Sequence, residues 1–381
     1  MRQPAEMTLR PDVLVAGGGL AGAAAAIGLV QAGLSVTLIE REKQPVHKIC
    51  GEFLSVEAQD YLSRLGLDVP ALGGANISRL RMVRGAQTVS ADLPFAAIGL
   101  SRFKLDEALL RHAQDLGVKV MRGGSVRKIS TENKIILDIE GLGTAEPEVL
   151  MLATGKHELR GMKREHHPRK SQKNLIGFKM YFNLRPQARR SLESHIELIF
   201  FPGGYAGLQM IEDGIANLCL LVDRDRYRHC GGNWEDLLVH LKTSSPILAE
   251  QLAGAEPVLE QPLTIYQVPY GFIYQPQEAD PPGLFRLGDQ ACVIQSFTGD
   301  GMSIALHSAA LAVQAVLNKQ DGSSFHRRLA RDVRGQIKRA DILYALLNNP
   351  ATQAGLFKIS SLWPKSLSIA AQFTRVPVHK P

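Results

Sequence analysis

The chain has 381 residues, 45% of them hydrophobic and 21% charged, a globular composition that excludes a disordered or fibrous protein. Forty-four basic against 37 acidic residues leave a formal charge of +7, which suits anionic partners, but no basic stretch interleaves with stacking aromatics and no nucleic-acid module is expected. Cys50, Cys219, Cys230 and Cys292 lack C-x-x-C spacing, so neither a disulfide framework nor a metal site is expected.

The polar opening up to Asp12 does not read as a signal peptide, and every apolar stretch meets charges or turn residues before bilayer length. A cytoplasmic location is expected, with contact to a membrane surface as an option.

From Asp12 to Arg41 the chain reads DVLVAGGGLAGAAAAIGLVQAGLSVTLIER. Val13, Leu14 and Val15 predict a buried parallel strand. Gly17, Gly19 and Gly22 follow at G-x-G-x-x-G spacing: the first permits a tight turn, the second lets backbone approach a pyrophosphate, and the third allows a helix to pack close. The alanine-rich run from Ala21 to Ile27 predicts that helix, its N-terminus turned to the phosphates and Gly33 at its end. A second strand, 35–39, delivers Glu40 to accept both ribose hydroxyls, with Arg41 beside it. Strand, glycines, helix, strand and acid in this order predict a dinucleotide site, and Glu40 argues against a 2′-phosphate.

Next comes HKICGEFLS, from His47 to Ser55, then Ser101-Arg102 opening a helix over 103–117 and a strand over 118–121. A further strand follows Gly124, with Val126 in it, and another over 148–152 ends at Ala153-Thr154-Gly155. His166 and His167 sit in the basic stretch KREHHPRKSQK, which reads as a solvated loop, with contact to an anionic substrate or NADPH as the alternative; adjacent histidines point apart, which argues against a metal site. Residues 174–280 read as alternating strands, with Tyr205, Tyr266 and Tyr270 as aromatics for a pocket. FRLGDQACVIQSFTGDGMSIA follows over 285–305, and 336–376 turns helical, apolar and basic, suited to packing on the core or to a membrane surface.

Together these segments resemble the flavoprotein superfamily of geranylgeranyl reductases, aromatic hydroxylases and flavin halogenases. The resemblance implies an α/β fold: a Rossmann-type FAD-binding domain with a parallel sheet, an antiparallel-sheet substrate domain and a C-terminal helical segment. The corresponding ranges are 11–78, 101–173 and 280–320 for the first, 79–100 and 174–279 for the second, and 321–381 for the third. It implies FAD as cofactor and NAD(P)H as electron donor, although Lys156-His157 replaces the Asp-Gly pair of the hydroxylases.

By the same resemblance Cys50 and Gly51 lie near the flavin ring, Arg102 near FAD, and Val126 at the adenine. Thr154 and Gly155 lie against the cofactor and Asp289 holds the ribityl chain. Gly299, Gly301 and Met302 start a helix at the pyrimidine end, where its amides stabilise the negative charge of reduced flavin.

Retention of K-x-C-G points to reduction of a C=C bond in a hydrophobic, prenyl-like molecule, with Cys50 as proton donor or pocket wall. Gly207 stands where that branch carries a tryptophan, which weakens the prenyl assignment. Two alternatives stay open: a monooxygenase acting on an aromatic or secondary metabolite, which needs a dry pocket, and a non-catalytic or electron-carrying flavoprotein. Halogenation is disfavoured because W-x-W-x-I-P is absent, Trp234 and Trp363 being the only tryptophans. The oligomeric state is not legible.

Overall fold

The computed structural model describes residues 8–131, 134–156, 158–160, 162–164 and 174–375. In chain order, β1 (Val13–Ala16) leads through the glycine turn to α1 (Leu20–Gln31) and β2 (Val36–Glu40). After α2 (Val56–Arg64) come β3 (Ala75–Arg84), β4 (Gln87–Gly99), α3 (Arg102–Asp115) and β5 (Lys119–Arg122). Then follow β6 (Ser125–Ser130), β7 (Ile136–Glu140), β8 (Val149–Leu152) and β9 (Leu175–Asn183). Further along are β10 (Ser194–Phe201), β11 (Gly204–Met210), β12 (Ala216–Asp223), β13 (Leu263–Tyr266) and β14 (Leu284–Arg286). Four helices complete the order: α4 (Gly301–Leu317), α5 (Gly322–Asn348), α6 (Pro350–Leu362) and α7 (Lys365–Phe373).

Among the described residues, five strands form a parallel sheet in the order β14-β8-β1-β2-β5. Every residue of β1 and β2 is buried, as a parallel sheet covered on both faces requires. The run Ala23–Ala26 is buried because α1 is sandwiched, with the apolar side of α4 packed on it. A small sheet containing β6 and β7 packs Ile129, Leu137 and Ile139 against Leu14, Ile39 and Leu150 of this sheet.

A second, nine-stranded sheet carries β9, β12, β11, β10, β3 and β4 in that spatial order, with β13 paired to β9. It is antiparallel except where β10 runs parallel to β3. This sheet also takes Phe53–Leu54 and the whole of Ala75–Arg84, so strands from before residue 79 enter it. The expected alternation of strands over 174–280 needs one correction. Helices at Pro186–Leu192, Arg224–His229, Trp234–Ser244 and Pro246–Gln251 interrupt it. Their start signals are local: Asp223, Asn233 and Ser245 each accept a backbone amide as N-cap, and Pro186 and Pro246 open two of the helices.

Helix α5 crosses from the parallel sheet, where Phe325, Leu329 and Val333 join its core, toward the second sheet. There α6 and α7 fold back, and α7 lies against β4.

Candidate functional site

The site begins at the turn after β1. Gly17 has φ +107°, and a side chain there would meet the Ala153 carbonyl at 2.5 Å. At Gly22 a Cβ would stand 1.9 Å from the Gly17 carbonyl oxygen, so helix and turn can approach only over a glycine. No side chain caps α1 and no acid occupies its first turn, which leaves its amides unshielded. Glu40 is held at the end of β2 by two amides, with Gly18 N donating to Oε2 at 2.6 Å and Glu42 N to Oε1 at 2.9 Å. Arg41 lies beside it, half exposed and paired with Glu42 at 2.8 Å.

Two cations stand over this turn. Arg102 Nε and Nη2 reach Asp106 at 2.7 and 2.9 Å, and Lys48 Nζ reaches the same carboxylate at 2.9 Å. Burial works against the Arg102 charge, but Asp106 outweighs it and keeps the guanidinium protonated above its usual range. Burial likewise pulls Asp106 upward, and the Arg102 and Lys48 charges hold it below the carboxylate norm. One carboxylate for two cations leaves a positive surplus beside the open helix end, and only the side-chain ends of Arg102 and Lys48 come near a Cβ placed at Gly19. That surplus suits a pyrophosphate. Sequence reasoning found Arg102 but missed Lys48 and Asp106; Asp106, one helical turn beyond Arg102, was the available signal.

The segment 47–52 is held from the other sheet. Lys179 Nζ donates to the Lys48 carbonyl at 2.9 Å, Asn217 Nδ2 to the Gly51 and Cys50 carbonyls at 2.9 and 3.3 Å, and Gln209 Nε2 to the Glu52 carbonyl at 2.8 Å. Glu52, at φ +60°, forms a fully buried ion pair with Lys179 at 2.6 Å. Its Oε1 also accepts from Tyr181 Oη at 2.9 Å and from Arg102 N at 2.8 Å. Burial raises the Glu52 carboxyl, against the pull of Lys179. None of these anchors was foreseen, since they come from β9, β11 and β12 with no local pattern. Cys50 is half-buried, and its Sγ accepts from Glu52 N at 3.3 Å.

A cavity of about 1050 Å³ gathers these parts. Gly17, Gly19, Glu40, Arg41, Cys50, Gly51, Arg102, Val126, Thr154, Gly155, Asp289, Gly299, Gly301 and Met302 all line it, as do Tyr205 and Tyr270. Gly22 lies just behind, in the packing of α1 on its turn. Lys156 pairs with Asp289 at 3.4 Å, and Gln290 Nε2 donates to the Gly155 carbonyl at 2.8 Å. His157, His166 and His167 lie outside the described residues.

At the far end α4 opens behind Asp300 without a side-chain cap or an acid in its first turn, and Gly301 faces open space. A second uncapped helix N-terminus thus points into the same cavity. Burial pushes the Asp300 carboxyl up to about 7, opposed by Arg375 at 3.0 Å.

Beyond α4 the cavity becomes apolar, lined by Leu80, Met82, Leu93, Phe95, Leu198, Val268, Leu343, Leu347 and Leu367. Ser296 gives it a polar spot, its Oγ bonding both Tyr205 Oη and Tyr270 Oη, the latter at 3.2 Å, and Ser360, Ser366 and Thr374 add polar wall on the side of α6 and α7. Burial lifts the Tyr270 phenol to about 12 and the Tyr205 phenol well above its normal value, so both stay protonated donors at neutral pH. Tyr266 is a correction. It is 59% exposed and does not line the cavity, because the alternation of β13 that turns Ile265 inward turns Tyr266 out.

Residues 10–136 match the model of the FAD binding domain family. Over 321 residues the chain is 25% identical to a tryptophan 2-halogenase of Chondromyces crocatus, a match covering 80% of this chain and 60% of that protein. It is 26% identical over 219 residues to a menaquinone reductase of Mycobacterium tuberculosis, 54% of each chain. The chain thus spans little more than half the length of these two relatives. Among solved structures, the flavin-dependent brominase Bmp2 superposes with a TM-score of 0.78 at 19% identity, covering 96% of this chain and 93% of that one. The myxobacterial chondrochloren halogenase CndH gives 0.76 at 18%, with 98% and 92% covered. The fold is therefore the α/β flavoprotein fold, and the cofactor of the site is FAD.

Proposed function

We propose that the chain is an FAD-dependent monooxygenase acting on a hydrophobic, ring-bearing small molecule. The observation that carries this reading is the continuity of the cavity, from the cationic glycine turn through the uncapped end of α4 into a largely apolar chamber with Ser296, Tyr205 and Tyr270 in its wall. Bound FAD supplies two-electron transfer and, once reduced, activation of oxygen. The chain's own residues divide the remaining work. The α1 amides with Arg102 and Lys48 hold negative phosphate, and the α4 amides favour negative charge at the far end. Apolar walls exclude water, and Tyr205 and Tyr270, set by Ser296, orient one polar group of the substrate.

Flavin-dependent halogenation and hydroxylation both spend reduced flavin on oxygen, so the halogenase relatives favour oxygen chemistry over alkene reduction. The missing W-x-W-x-I-P speaks for hydroxylation within it. The menaquinone reductase likeness and a cavity-lining Cys50 keep C=C reduction as the second reading. The test is anaerobic reduction of the FAD-loaded protein with NADPH, then readmission of ¹⁸O₂ with phenolic and prenylated quinone substrates. Label in the product supports the monooxygenase. A product gaining two hydrogens without label, and lost in Cys50→Ala, favours the reductase and overturns the first reading.

A further inference from the structure

The helices that close the apolar chamber have an outer face that the fold itself does not use. Their inner side is occupied: Phe357, Ser360, Leu367 and Thr374 are buried, and Leu356, Ala370 and Ala371 line the cavity. On the outer side Leu362, Trp363, Ile369 and Phe373 are 80%, 53%, 52% and 62% exposed. None of these four lines the cavity, so the surface they show is the outside of the molecule. Ile369 and Phe373 are one helical turn apart on α7, and Leu362 and Trp363 form the corner between α6 and α7. Single exposed apolar side chains are ordinary; four on one helical hairpin are not.

The charges on this hairpin are all of one sign. From Ile342 to residue 381 the sequence has no aspartate or glutamate, while Lys358, Lys365, Arg375 and Lys380 are basic. Lys358 and Lys365 are exposed beside the apolar side chains, and Arg339 of α5 lies 4.8 Å from the centre of the Phe373 ring. An acid-free mixture of leucine, isoleucine, aromatic rings and lysine is complementary to the interface of an anionic bilayer. A second copy docked face to face would set lysine against lysine with no acid on the hairpin to pair them. Among the described residues no helix is long and apolar enough to cross a membrane, which limits the contact to surface depth.

We propose that the α6–α7 hairpin beds its outer face in an anionic lipid surface while its inner face walls the chamber. Substrate then passes between bilayer and cavity beside Ile359, which lines the cavity and is also 53% exposed. Only this passage rests on the hydrophobic-substrate reading; the docking does not. Polar ties hold the hairpin in place during contact, among them Arg375 paired with Asp300 at 3.0 Å, Ser368 Oγ donating to the Asp92 carbonyl at 2.6 Å and Arg84 Nε donating to Gln353 Oε1 at 3.1 Å.

The test is flotation of the full FAD-loaded chain with phosphatidylcholine vesicles, with and without phosphatidylglycerol. Binding to the anionic vesicles is expected. In a Trp234→Phe background, Trp363 emission should move to shorter wavelength as they are added. Leu362→Glu with Trp363→Glu should lower partitioning at least about tenfold, and Lys358→Gln with Lys365→Gln several-fold with loss of the anionic preference. FAD content and melting temperature check that each variant is folded. Absence of binding, or glutamate variants that bind like the parent, overturns the proposal. So does a dimer by light scattering that the glutamate variants dissociate, which assigns the face to a second copy. Turnover of a water-soluble phenol is unaffected by any of these results, so failure of docking and failure of the monooxygenase reading are told apart.

Discussion

Around the parallel sheet, the groups offered to a ligand are mostly backbone: the turn after Gly17, the α1 amides, and a carboxylate fixed by amides at the end of β2. Around the nine-stranded sheet the work falls to side chains: Tyr205 lines the cavity, while Lys179, Gln209 and Asn217 hold its 48–52 loop from separate strands. A backbone site depends on a few positions where only glycine fits. A side-chain site depends on pairs, and its failures are failures of partnership.

The largest expected effect lies in the first region. Gly22→Ala would place a methyl group 1.9 Å from the Gly17 carbonyl. FAD content of the purified protein should fall at least about tenfold, or the protein should not fold. Gly19→Ala meets only the flexible ends of Arg102 and Lys48, at 3.4 and 3.6 Å, and should fold while binding FAD more weakly by fluorescence titration. Normal loading of Gly22→Ala would break the backbone account.

In the second region, Lys179→Met strands the buried Glu52 carboxylate and should cost about 3–5 kcal/mol in urea unfolding. Adding Glu52→Gln should restore much of that loss, since the penalty comes from the unpaired charge. A double variant no more stable than the single would show that packing, not partnership, sets the cost.

The smallest effect sharpens the comparison at the join, where His326 of α5 accepts from the backbone of Arg286 in β14 at 3.3 Å. Burial, helped by the Arg286 charge, pushes the His326 pKa down to about 3 from 6.5. Between these values the unfolded chain holds the proton and the folded chain does not, so this contribution is complete above pH 6.5 and lost as pH falls toward 3. Melting temperature should drop by several degrees between pH 7 and 4, and His326→Gln should flatten that decline.

The same contrast decides what the sequence disclosed. The glycine spacing, Glu40 and the Arg102 helix start lie within short windows, where periodicity and turn chemistry are local. Gly155, Asp289 and Gly301 were placed by likeness to a family, and they line one cavity in the structure. Lys179 gave no such signal: in LIGFKMYFN it is a lone charge on an apolar strand, and only the fold brings Glu52 to it. Tyr266 was misplaced because an edge strand with proline and tyrosine nearby does not disclose which of its two faces is inward.

The carbonyls of Lys48, Gly51 and Glu52 are held by side chains 131, 166 and 157 residues further along the chain. Closing loops of that length is a late event in folding. During synthesis the glycine turn emerges long before the residues that complete its pocket, since Ala153 beside it, Asn217 in the wall and Asp289 and Gly301 of the cavity all follow later in the chain. The full cofactor cavity therefore closes only after Met302 has left the ribosome, so flavin uptake during refolding would time the docking of one sheet onto the other.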